Sequence, residues 1–131
     1  MNYTPALSLL LPVTAICCMA QEAPAPTNHQ DMAEAMLDFL SRTELCLNSC
    51  QDKASAQAAM PQLKKLAEEA KKLSAIQASL PEPTVQDFMS VQHKSGDFIN
   101  ISKAIFDHID RLRQLQILTP EMAKILFLKE D

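Results

Sequence analysis

Cys46 and Cys50 stand four residues apart and are the most chemically versatile pair in the sequence. In an oxidising compartment such a pair suggests a disulfide. Helical geometry resists one, because side chains at i and i+4 hold their Cβ atoms about 5–6 Å apart, where a disulfide needs about 3.5–4.5 Å. A Cys46–Cys50 bond therefore requires the helix to unwind before Cys50, and Asn48-Ser49, just ahead of Asp52, is where it would do so. Two buried free thiols, an intermolecular bond and a ligand role are the other readings of the same pair.

As ligands, the two sulfurs with Met32, Met36 and Met60 suit a soft ion such as Cu(I). A b-type haem held by a Met and one of His29, His93 or His108 is the other carrier chemistry open to a helical bundle. Against both, a single CxxxC is not a dedicated metal pattern, and Met at helical spacing more often fills a core. The three histidines belong to no HExxH, CxxC or CxxCH arrangement, so surface or rim positions are the simpler assignment. No cofactor is expected. Nor is an enzyme: the sequence has no GxSxG, no Gly-rich phosphate loop and no paired carboxylates within an apolar stripe. Asp87, Asp107 and Asp110 read as cap and surface positions, and the Asn100-Ile101-Ser102 sequon lies in mid-helix.

The chain that must position these residues has 131 of them, enough for one domain. It is 47% apolar but only 5% aromatic, with one Gly, eight Pro and no Trp. Sandwiches and barrels need more glycine for turns and more aromatic residues for strands, so the composition predicts an all-α protein. Twelve basic against sixteen acidic side chains leave a formal charge of -4, which provides no field for nucleic acid or anionic lipid.

Residues 1–20 carry no Lys, Arg, Asp or Glu. The apolar run from Ala6 to Ala20 is shorter than the roughly twenty residues a membrane-spanning helix needs, and it reads as a signal peptide cleaved between Ala20 and Gln21. The short MNYTP start offers no basic side chain to strengthen that reading. Lipidation at Cys17 or Cys18 is the rival, but Ile16 is the wrong size before Cys17, and both cysteines fit an apolar leader that is discarded. The expected product is a periplasmic or secreted protein with no integral membrane span: a Pro-rich amino terminus over 21–28 and a helical domain over 29–131.

Within that domain, His29, Met32, Met36, Phe39, Thr43, Cys46 and Cys50 alternate spacings of three and four behind the cap Thr27-Asn28, predicting a helix over about 29–49. Asp52 caps the next, where Ala56, Ala59, Leu63, Leu66, Ala70, Leu73, Gln77 and Leu80 keep the period over 53–79, with a kink expected at Pro61. Its charge run, Lys64, Lys65, Glu68, Glu69, Lys71 and Lys72, reads as a solvated face. Thr84 and Asp87 resemble a capping box, opening a stripe of Val85, Phe88, Gln92, Ser95, Ile99, Ser102, Phe106 and Ile109. That stripe, broadened by Phe98, Ile105 and Leu112, predicts one long helix over 85–117, with Ser95-Gly96-Asp97 as a place for irregularity. Thr119-Pro120-Glu121 opens a last short helix to about Lys129.

Short connections make neighbours antiparallel, so the expected architecture is an up-down-up bundle of three main helices with a short carboxy-terminal helix across it. The apolar run 122–128 and the unmatched length of the third helix make a homodimer one expectation.

The segment Asp52-Lys53-Ala54-Ser55-Ala56-Gln57-Ala58-Ala59-Met60-Pro61-Gln62-Leu63 resembles the D-x-A-S-A-x-x-A-x-P-x-L segment of small exported helical proteins of verrucomicrobial and planctomycete bacteria. It covers about a dozen residues, and the resemblance implies an exported bacterial helical hairpin, with no activity to carry over. Independently, its alanines allow close approach of two helices beside the Asp52 cap. The function expected from all of this is contact: a structural or protein-interaction module whose partner the sequence does not name.

Overall fold

A computed structural model describes residues 25–127. The expectations for residues 1–24, the leader, the Ala20–Gln21 cleavage and the fates of Cys17 and Cys18, lie outside the described residues, as do residues 128–131. Among the described residues 80% are helical and none lies in a strand. Five helices follow one another: α1 (His29–Asn48), α2 (Lys53–Ser79), α3 (Val85–Gln92), α4 (Ser95–Gln114) and α5 (Pro120–Phe127).

Local chemistry starts each helix where polar side chains can take the first free N–H groups. The Asn28 side chain accepts from Asp31 N–H at 2.8 Å. Asp52 and Ser55 form a reciprocal capping box: Asp52 Oδ1 accepts from Ser55 N–H at 2.7 Å, and Ser55 Oγ accepts from Asp52 N–H at 3.0 Å. Thr84 and Asp87 do the same for α3, and Thr119 Oγ1 accepts from Met122 N–H at 3.1 Å for α5. These backbone hydrogen bonds hold the Asp52 and Asp87 carboxyls below their ordinary pKa. The second helix runs as one element with Pro61 inside it.

The first two helices bury the stripes their spacing predicts, including Met32, Thr43 and Leu47 from α1 and Ala56, Ala59, Leu63, Leu66 and Leu73 from α2. Small residues at 56 and 59 let the hairpin close beside its turn. Across it, Arg42 makes a two-pronged pair with Glu69, and His29 Nε2 donates to the Pro81 carbonyl at 2.7 Å. The order of these contacts is antiparallel. Contacts between α1 and α4 run in parallel order instead: Glu34 with Lys94 at 3.6 Å, Glu44 with His108 at 2.8 Å, and Leu47 with Arg111. Both α3 and α4 pack on α1, while α5 packs on α2 and buries Met122.

Two expectations need correction. The helix predicted over 85–117 is two helices, separated at His93-Lys94, where Lys94 N–H turns back to the Val91 carbonyl at 3.0 Å and α4 begins without a side-chain cap. The break falls just before Ser95-Gly96-Asp97, and Lys94, mostly buried, turns toward Glu34 there. With the helix interrupted, its two parts need not share one phase. The inward side of α4 is Phe98, Ile101, Ile105, Ile109 and Leu112, a row of five at spacings 3, 4, 4 and 3; all but Ile101 belong to the predicted stripe or its broadening, and Ile99 and Phe106 lie off this row. That row wins burial on α4, so Ile99 and Phe106, expected in the core, face water, as do Val85 and Phe88 on α3.

The second correction concerns Glu69, expected on a solvated face. Its neighbours Lys64, Glu68 and Lys71 are exposed, with Glu68 and Lys71 paired at 3.5 Å, but Glu69 turns to Arg42.

The helix α4 ends on Gln116 at φ 58, with Gln116 N–H bonded to the Arg113 carbonyl at 3.1 Å and Ile117 N–H to the Leu112 carbonyl at 2.8 Å. This is a Schellman motif closed by the buried pair Leu112 and Ile117.

Gly96 lies in the first turn of α4 without positive φ, and an added Cβ would meet nothing within 4 Å. Gly96→Ala is therefore expected to raise unfolding free energy by about 0.5–1 kcal/mol, read as a higher urea midpoint at constant slope. The guanidinium of Arg42 lowers the pKa of Glu69 from its ordinary 4.5. The paired carboxylate thus stabilises the fold at neutral pH, and that contribution fades as pH falls below about 4.5 through the lowered folded value. The stability gap between the protein and Glu69→Gln is expected to narrow over that window and to be constant from pH 6 to 8.

Candidate functional site

The carboxy-terminal end of α1 brings together most of the residues with chemical potential. A helix end leaves carbonyls without intrahelical donors, and α1 has no basic residue in its own last turn. Each exposed carbonyl finds a donor elsewhere. Ser49 N–H reaches the Leu45 carbonyl at 3.1 Å, Ser49 Oγ reaches Cys46 at 2.6 Å, and Gln51 Nε2 reaches Asn48. Arg111 crosses from α4, donating from Nη1 to the Cys50 carbonyl at 2.8 Å and from Nη2 to the Leu47 carbonyl at 3.1 Å.

Arg111 Nη2 also lies 3.4 Å from His108 Nδ1. A guanidinium only donates, so Nδ1 is the acceptor, and the ring hydrogen sits on Nε2, which donates to Glu44 Oε1 at 2.8 Å. Both imidazole nitrogens are engaged, and the Glu44–His108–Arg111 chain is spent on joining α4 to α1. The sequence reading that put the histidines at the surface or rim holds for His93, whereas His108 is largely covered.

Cys46 is half-buried on α1 and Cys50 is fully buried just beyond it, and both are free thiols. Cys50 Sγ donates to the Cys46 carbonyl at 3.4 Å. Burial raises the pKa of both thiols; the Cys50 sulfur raises Cys46 further, while Ser49 and Arg111 partly offset the rise at Cys50. Around them lies the core: Leu47, Ala56, Ala59, Met60, Leu63, Ile109, Leu112, Ile117 and Met122 form one buried cluster with Cys50, against which Cys46 packs. Of the methionines singled out in the sequence, only Met60 belongs to this cluster; Met32 and Met36 stand three to four turns earlier on α1. Met122, which sequence spacing did not connect to the cysteines, joins it from α5.

Beside this hub, Leu37, Ser41, Glu44, Asp97, Asn100, Ile101 and Ala104 line an open groove of about 460 Å³ between α1 and α4. Among the described residues no three His, Cys, Asp or Glu side chains converge as a metal cage. None of the described helices is long and apolar enough to cross a membrane.

The second feature is an apolar face turned to water. Val85, Phe88 and Met89 on α3 and Ile99 and Phe106 on α4 are each 60–78% exposed. No residue of α3 is buried.

No family model, curated protein or solved structure matches this chain.

Sequence reasoning missed Arg111, Glu44 and Glu69. Each is a charged residue at the margin of an apolar stripe, and spacing alone does not say which margin a neighbouring helix will cover.

Removing the Arg111 guanidinium strands the Cys50 carbonyl in a covered turn and leaves the Leu47 carbonyl with only the Cys50 N–H, at 3.1 Å. Arg111→Met is expected to lower unfolding free energy by about 2–3 kcal/mol, and Arg111→Lys by about 1 kcal/mol, because a single ammonium cannot reproduce the fork across two acceptors. Urea unfolding of both variants gives the comparison.

Proposed function

We propose that this protein is a small contact module, working through the water-facing apolar side of α3 and α4 as a structural or interaction unit. The observation that carries the reading is the set of five large apolar side chains at 85, 88, 89, 99 and 106, each mostly exposed on helices whose other side packs on α1. Large apolar patches on a soluble body mark surfaces that another molecule covers. The arrangement proposed for the body is the up-down-up bundle, with α1 up, α2 down, and α3 with α4 as the broken third member, supported by the antiparallel α1–α2 and parallel α1–α4 contact orders. Export belongs to the same proposal: the charge-free leader, cleavage between Ala20 and Gln21 and release into the periplasm or outside the cell. A Cys46–Cys50 bond in that compartment would need local unwinding, since α1 stays helical through Asn48. The likeness of the Asp52 segment to exported bacterial helical proteins is supported by its role as a capping box and hairpin contact.

The occupant we propose is a second copy. Along the outer side of α4, Lys103 lies between Ile99 and Phe106, with Asp110 one turn on. In an antiparallel pairing of two α4 helices about a two-fold axis beside Phe106, Lys103 of each copy stands opposite Asp110 of the other, flanking the paired aromatic rings. An isologous interface needs this kind of self-complementarity.

Sedimentation of the mature chain over a range of concentrations tests this. The protein is expected to dimerise, and Phe88→Asp with Phe106→Asp is expected to be monomeric, with helicity unchanged and stability altered by no more than about 0.5 kcal/mol. A monomeric protein, or a double variant that unfolds, contradicts the reading.

A further inference from the structure

We infer that Met89 is a modification site at which a hydroperoxide converts the thioether to a sulfoxide, and that this conversion loosens the apolar contact of α3 and α4. The effect on association depends on the contact proposed for that face, whereas the selectivity for Met89 depends only on what the fold leaves in reach. Met89 is 64% exposed, while Met32, Met60 and Met122 are 4%, 9% and 1% exposed and Met36 is half-buried. Among the described methionines the fold therefore presents one sulfur freely to a solute in water.

The exposure follows from how α3 sits. Its partly covered positions are Asp87, Ser90 and Val91, and its exposed positions include Val85, Phe88 and Met89, so this helix turns its more apolar side to water. Met89 stands next to Phe88 and one helical turn beyond Val85, which makes its sulfur part of the apolar face instead of an isolated surface atom. A thioether in that place behaves as an apolar side chain. A sulfoxide there is polar and has to surrender its water before another molecule can cover it.

The step is an oxygen-atom transfer. The thioether sulfur attacks hydrogen peroxide, an S–O bond forms as the O–O bond breaks, the sulfur gives up two electrons and the rest of the peroxide leaves as water. Two thiols reverse it, removing the oxygen as water and becoming a disulfide. The chain's own thiols compete poorly for the oxidant: Cys50 is fully buried, and burial pushes both Cys46 and Cys50 above the ordinary thiol pKa, away from the thiolate that attacks peroxide. A thioether has no proton to lose, so mild acid spares the thiols and leaves Met89 reactive. Association and oxidation also oppose each other: a second copy that covers Met89 shields it, and a sulfoxide disfavours the second copy.

The test treats the full chain with hydrogen peroxide at about pH 6, locates the oxidised methionines by peptide mass spectrometry and follows association by sedimentation. Met89 is expected to oxidise at least about tenfold faster than Met32, Met60 or Met122 in the folded protein, and at the same rate as they do in urea. The protein oxidised at Met89 is expected to dimerise at least about tenfold more weakly, and Met89→Gln, with a polar side chain of similar length, to do the same without peroxide. Met89→Leu is expected to dimerise like the untreated protein and to go on doing so after treatment, with helicity by circular dichroism unchanged throughout. Oxidation of Met32, Met60 or Met122 as fast as Met89 in the folded protein overturns the site. Undiminished dimerisation of the Met89 sulfoxide, or equal weakening of treated Met89→Leu, overturns its effect on association. A protein that is monomeric before treatment overturns the contact reading and that effect together, while the order of oxidation still decides the site.

Discussion

The fold turns on the need to satisfy the carbonyls at the end of α1. That end is buried: Leu47 and Cys50 are inaccessible to water, so their carbonyls need protein donors. A chain with one glycine, already placed in the first turn of α4, has none at this helix end to close it in the left-handed conformation. Arg111 closes it from another helix instead. A single fork of N–H groups thereby fixes the end of α1, the path of the α1–α2 turn and the register of α4 against the hairpin. His108 and Glu44 hold the same register one turn earlier, and the Schellman turn at Gln116 then directs Ile117 and Met122 back onto the cluster. The buried cluster lies here because α1, α2, α4 and α5 all send side chains to this end.

What the sequence made legible follows the range of the interaction. Helix starts depend on contacts three residues away, and Asn28, Asp52 with Ser55, Thr84 with Asp87, and Thr119 all cap where their spacing says they should. The inward faces of α1 and α2 were equally legible, because each has one dominant apolar row. On α4 two rows compete, and the choice between Phe98-Ile101-Ile105 and Ile99-Phe106 depends on where the preceding turn releases the helix. That turn at His93-Lys94 is tied to Glu34, sixty residues earlier, a contact that no local pattern encodes. Arg111 and Glu69 were illegible for the same reason: their partners are carbonyls and a guanidinium on another helix. The core at this end was half legible, since Leu47 and Cys50 lie on the stripes their spacing predicts, while Met122 joins only through the fold.

The two ends of the molecule are built differently in consequence. Near the α1–α2 turn, side chains from four helices interlock, and substitutions there act on the whole body. At the other end α3 contributes no buried side chain; it is held by its capping box, by partly covered residues such as Val91 and by its packing on α1. Local opening is cheapest where few apolar contacts are lost, so α3 is the element freest to adjust to a neighbour.

This separation bears on how an apolar contact face coexists with a stable fold. On α4 the inward row and the outward row occupy opposite sides of the same helix, so Ile99 and Phe106 stay in water without weakening the packing of Ile109 and Leu112. Leaving them exposed costs the isolated chain their transfer free energy, about 1.5–3 kcal/mol for each large side chain that remains unburied. A second copy that covers them would recover that energy at the surface, while the buried cluster lies on the inward side of α4, with Ile109 and Leu112. Contact with a partner and any chemistry of the buried thiols are therefore physically separable in this fold, because one uses the outward row of α4 and the other the end of α1 that its inward row covers.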